Sequence, residues 1–209
     1  MTCGYYPTVI DKRPYILVDT PGFNTTEPDL DVFRNMMTGL EMLQPFVNYV
    51  GVLYVTDLAT ARLPPSQIKT HKWLESFCGQ AFFRNITIVT TKWDNLTEDA
   101  IMERAADILP DWRKRWEGLL DPGENLPGAE IYHHGIKGGG TGDASTWDTP
   151  LHVKRQEGDR RREAMAMIDR RYSDARPIEM QVMTEMHARG DYLRTTAAKI
   201  LLGTYPISG

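Results

Sequence analysis

The sequence predicts an α/β fold with a mainly parallel sheet, and three observations carry that prediction. Short apolar, β-branched runs alternate with stretches of helical spacing along the chain. Two of the runs, Tyr49-Val-Gly-Val-Leu-Tyr-Val and Asn85-Ile-Thr-Ile-Val-Thr, have the near-continuous character of strands buried on both faces. The length of 209 residues, 41% of them hydrophobic, is enough to build a full core for one domain with additions.

Taken in order, Tyr5 to Ile10 and Tyr15 to Val18 read as a hairpin joined by the polar turn Asp11-Lys12-Arg13. Leu30, Phe33, Met37, Leu40 and Leu43 recur at helical spacing, so 30–43 is a predicted helix. A helix over 66–77 should end at Gly79, where a left-handed residue can close it. The stretches 97–109 and 112–120 form a helical region interrupted by Pro110, with Thr97 as its N-cap. Ala129 to His133 is a short strand, and Gly135 to Pro150 is a loop rich in Gly, Thr, Ser and Asp. A charged helix follows over about 153–172. Two further helical segments close the chain, one with Ile178, Val182 and Met186 on one face, the other with Leu193, Ala197 and Leu201. The expected division is a main domain over 1–172 and a C-terminal helical extension over 173–209.

Composition excludes several function classes. A formal net charge of −4 argues against nucleic acid or an anionic membrane as the main partner. The basic run Arg160-Arg161-Arg162, with Arg170-Arg171 beyond it, reads as a solvated helix face. Cys3 and Cys78 are not placed as a structural pair, which fits a reducing compartment. No apolar run reaches the ~18 residues that span a bilayer, and the N-terminus lacks the layout of a signal peptide. A cytoplasmic location is expected, and the Asn-x-Thr triplets at Asn24, Asn85 and Asn95 then carry no meaning for glycosylation.

Two motifs carry chemistry. In Tyr15-Ile-Leu-Val-Asp19-Thr20-Pro21-Gly22-Phe23 an apolar strand ends in an aspartate, and a glycine follows three residues later. In P-loop nucleotide hydrolases an aspartate so placed takes part in binding Mg²⁺, which prefers oxygen ligands. The glycine lets its backbone N–H approach a γ-phosphate closely. In the second motif the strand 86–89 runs into Thr90-Thr91-Lys92-Trp93-Asp94, which fits the pattern used for guanine. A carboxylate there accepts two parallel hydrogen bonds from the ring N–H and amine of guanine, while the lysine stem lies along the base. A helix, a strand and a helix separate the motifs, which carries both to the same carboxyl-end edge of a parallel sheet.

On these residues the chain resembles the septin and immunity-associated branch of the Ras-like GTPases, and within it a group of fungal G-domain proteins. The strand ends Leu-Val-Asp-Thr-Pro-Gly-Phe and Val-Thr-Thr-Lys-Trp-Asp carry the resemblance, supported by the C-terminal helical stretches. It implies a Ras-like P-loop NTPase fold, a three-layer sandwich, with GTP or GDP and Mg²⁺ as ligands. Asp19 would serve the metal, Gly22 the γ-phosphate, and Thr91, Lys92 and Asp94 the guanine. His134, in Tyr132-His133-His134-Gly135, falls where the family places its third guanine-contacting loop; surface histidines at a strand end are the alternative.

The phosphate-binding Gly-x-x-x-x-Gly-Lys-Ser/Thr run does not occur in the chain. By the resemblance the fold would lack its first, central strand, and GTP binding would be weak or lost. A fragment, a degenerate pseudo-GTPase and a protein completed by a partner strand remain open as explanations. Thr2 could then be the remnant of a switch threonine. Phe23 stands where Ras-type enzymes place a water-orienting glutamine and cannot activate water, so hydrolysis is in doubt. The competing expectation is a non-catalytic scaffold that keeps the G-domain shape and self-associates through its nucleotide face or the sheet gap.

Overall fold

In a computed structural model of the protein, the described residues are 3–23, 27–57, 65–95, 100–101, 103, 109–110, 113–114, 116–123, 126–140, 147 and 150–206. The expected roles of Thr2 and Thr97, and the Asn24 triplet, fall outside them.

The chain is α/β, and among the described residues the strands form two sheets. Strands β1 (Gly4–Ile10) and β2 (Arg13–Asp19) make an antiparallel hairpin in which Tyr6 faces Leu17 and Thr8 faces Tyr15. Its turn is two residues long, Asp11 and Lys12, with φ of 42° and 66°. Two successive left-handed residues give a turn whose twist matches that of the flanking strands. Strands β3 (Val52–Asp57), β4 (Ile86–Thr91) and β5 (Glu130–His133) form a parallel sheet in that order. The expectation of buried parallel strands therefore holds best for β4, whose Ile86 and Ile88 are fully buried.

The chain divides into two compact units. One contains residues 1–50, 63–82 and 176–209. Its helices are α1 (Asp29–Leu43) and α2 (Pro65–Cys78), which ends at Gly79 with φ 77°. Phe33 meets Trp73 and Phe77 edge-to-face, those two rings are tilted by 30° against one another, and Phe23 joins the cluster with its ring 4.4 Å from Trp73. Phe23 is thus a packing residue.

The other unit contains residues 51–62 and 83–175, and it holds the parallel sheet. A short helix α3 (Glu117–Leu120) precedes β5, and the long helix α4 (Glu157–Tyr172) follows it. The helix lays Met167, Ile168 and Tyr172 into the core, and the Tyr172 hydroxyl meets Thr87 Oγ1 at 2.6 Å. Gly51 makes room for that ring: a Cβ there would lie 2.3 Å from it. The C-terminal helices α5 (Gln181–Arg189) and α6 (Thr196–Leu201) belong to the first unit. Gly190 closes α5 in the left-handed conformation, and Thr195 caps α6 by accepting from Ala198 N. Among the described residues no helix is long and apolar enough to cross a membrane.

Candidate functional site at the carboxyl edge of the parallel sheet

All strands of β3–β4–β5 point the same way, so the residues that follow them gather at one edge. Asp57 ends β3, Thr91-Lys92-Trp93-Asp94 ends β4, and His134-Gly135 ends β5. The His134 N–H donates to the Thr90 carbonyl at 2.9 Å and continues the ladder one residue past β5.

Thr91 and Lys92 turn towards β3. Thr91 Oγ1 donates to the Thr56 carbonyl at 3.2 Å, and the Lys92 ammonium meets Asp57 at 2.5 Å. Lys92 has φ 67°, an unusual value for a side-chain-bearing residue, and reverses the chain immediately after the strand. Both residues thereby lace the end of β4 to β3.

Asp94 faces different neighbours. Its carboxylate lies 3.7 Å from Arg160 of α4, and both side chains are largely buried, at 15% and 11% exposure. Arg160 Nη1 donates to the Leu151 carbonyl at 2.8 Å. The guanidinium passes over Gly135, whose φ of 98° and missing side chain make the approach feasible: a Cβ there would lie 2.4 Å from Nη1. His134 completes the group. Burial, and next the Arg160 charge, push its pKa down, while Asp94 opposes them.

Beneath the edge lies a buried relay. Trp93 Nε1 donates to Thr90 Oγ1 at 2.9 Å, and that hydroxyl meets His133 Nδ1 at 2.7 Å. An indole N–H only donates, so the Thr90 hydroxyl accepts from Trp93 and keeps its own hydrogen and a second lone pair with which to meet His133 Nδ1. Burial, then the charge of Arg113, lowers the pKa of His133 to about 4.

The structure thus brings Thr91, Lys92, Asp94 and His134 to one edge of the second unit. Asp19 and Gly22 belong to the first unit, where they are exposed at and beyond the end of β2. Arg160 was missed by sequence reasoning, which took its arginine run as solvated. Arg161 and Arg162 are indeed exposed, but Arg160 and Arg171 are tucked in, the latter against Glu130 at 2.6 Å. A signal was present: Arg160, Met167, Ile168 and Arg171 recur on one helical face.

No family model matches the chain. Over 144 residues, 67% of its length, it is 26% identical to a "probable FAD-binding monooxygenase" from Aspergillus luteorubrus. The chain spans 28% of the length of that relative. This finding overturns the assignment to the septin and immunity-associated GTPases, and with it the GTP-binding function, the pseudo-GTPase scaffold, and GTP, GDP and Mg²⁺ as ligands. The physical reason is visible at the edge itself. Lys92, expected along a base, is instead held by Asp57 at the end of β3. A Thr-Lys-x-Asp run can thus close the end of a buried parallel strand through partners that are distant in sequence. For Asp19, among the described residues no group of three or more His, Cys, Asp or Glu is placed to hold a metal.

Proposed function

We propose that the second unit is a ligand-recognition module of a flavin-linked oxidation system, which binds the ring of a flavin at the carboxyl edge of its parallel sheet. The observation that carries this reading is Asp94: a largely buried carboxylate at the end of a parallel strand, beside Arg160 and His134. Open parallel sheets bind ligands at this edge, and a carboxylate taken so far out of water is costly unless a partner faces it. The name of the relative, which spans well beyond the matched region, supports flavin as the ligand class.

The donor set suits the ring and not the diphosphate of a dinucleotide. Asp94 accepts, Arg160 donates, and neutral His134 can do either. The chain has no Gly-x-Gly-x-x-Gly run to cradle a diphosphate, so the module's own share is to bind and orient the ring. A bound flavin supplies two-electron redox chemistry; no step of it is assigned to these residues. Both cysteines are free thiols, which supports a cytoplasmic setting.

Titration with riboflavin, FMN and FAD, followed by flavin fluorescence, tests the proposal. Saturable binding is expected with all three ligands. Asp94→Asn should weaken it about 10- to 100-fold, the loss of one hydrogen bond to a charged group. If no flavin binds, or if Asp94→Asn binds as the parent does, this edge is not a flavin site.

A further inference from the structure

Resting on the reading of this edge as a flavin site, we infer that Arg160 sets its specificity: with Asp94 it forms a donor–acceptor pair that selects a heterocycle presenting a carbonyl beside a ring N–H, the imide edge of a flavin.

Three observations converge on Arg160. It comes from α4, far along the chain from the strand ends, and reaches the edge through the space above Gly135. Only a glycine permits that approach, because the backbone there is left-handed and a Cβ would meet the guanidinium. The side chain is 11% exposed, so a flexible surface arm is not its description. Third, the guanidinium is fixed in direction, since Nη1 is anchored to the Leu151 carbonyl at 2.8 Å.

The spacing of the pair gives the ligand class. At 3.7 Å, Asp94 and Arg160 attract one another but lie beyond hydrogen-bond reach. The acid therefore does not use up the guanidinium's N–H groups. A planar ligand can lie across both, donating a ring N–H to Asp94 while a neighbouring carbonyl accepts from the planar guanidinium. The pyrimidine half of an isoalloxazine has this arrangement, a ring N–H between two carbonyls. His134 is near enough to feel the charges of both Asp94 and Arg160. Adenosine offers no ring N–H on its pairing edge. Guanosine offers one, but carries an amine in place of the second carbonyl.

Calorimetric titration of the unaltered protein with lumiflavin and 3-methyl-lumiflavin separates the outcomes. The methyl group removes the ring N–H and leaves the remainder of the ligand intact. Lumiflavin is expected to bind at least tenfold more tightly than its methyl derivative or adenosine. Arg160→Lys, which keeps the charge and loses the planar fork, should reduce the lumiflavin preference while its thermal midpoint stays near that of the parent. Equal binding of the two lumiflavins overturns the inference and leaves the flavin site standing. Tighter binding of guanosine than of lumiflavin overturns both, as does absence of lumiflavin binding. Because the comparison of ligands needs no variant, it decides the matter even if Arg160→Lys fails to fold.

Discussion

His133 links the chemistry of the edge to the stability of the fold. Its imidazole lies in the core with Nδ1 2.7 Å from Thr90 Oγ1, and its pKa falls from 6.5 to about 4 because burial disfavours the charged form. Between those two values the unfolded chain takes up a proton that the folded chain refuses. Stability is therefore full above pH 6.5 and declines as pH falls towards 4, by at most about 1.4 kcal/mol per unit. His134 is shifted in the same direction and adds to the slope. In His133→Asn the amide can still bond Thr90, but nothing remains to titrate. Urea unfolding at pH 7.5 and pH 5 should show a smaller acid-linked loss in the variant than in the parent. Equal losses would clear His133 of the effect.

At the scale of elements, the β1–β2 hairpin tests the turn chemistry. Asp11 and Lys12 both occupy positive φ, where residues with side chains are disfavoured and Asn-Gly is favoured. The double substitution Asp11→Asn, Lys12→Gly should therefore stabilise the protein by about 0.5–1 kcal/mol, read as a higher thermal midpoint. A lower midpoint would mean that the parent side chains make contacts worth more than the backbone relief. The hairpin, α1, the end of α2 at Gly79 and β4 were all legible in the sequence, because apolar spacing and turn residues are local signals. The start of α4 was less so: the structure begins it at Glu157, after turns through 153–156, where charge pattern alone suggested an earlier start. Side-chain roles at the edge were illegible for a different reason. The partner of Lys92 is 35 residues away, and Arg160 reaches Asp94 from another element. A motif fixes residue types in order, while the partners that meet them are set by tertiary packing.

At the scale of the whole molecule, the division into units was hidden because the first is assembled from three separated stretches and no composition shift marks its borders. What the sequence did show is apolar strand character, and the structure leaves part of it in contact with water. Tyr6 and Val9 of the hairpin are 57% and 62% exposed, and Val55 of β3 is 62% exposed. A two-stranded hairpin is marginal in water by itself, and apolar edge strands are templates for pairing with another chain. Pro7 in β1 and Pro14 in β2 each lack a backbone donor, but Tyr15 to Val18 in β2 contain neither proline nor lysine. The strands should therefore drive self-association as concentration rises. Light scattering across a dilution series should show a mass climbing above the monomer's 23.8 kDa. Val9→Lys together with Val55→Lys places a charge on each exposed strand and should return the mass to that of the monomer without lowering the thermal midpoint. If the parent remains monomeric at every concentration, the exposed strands are inert. If the double variant associates as the parent does, the contact is made by another surface.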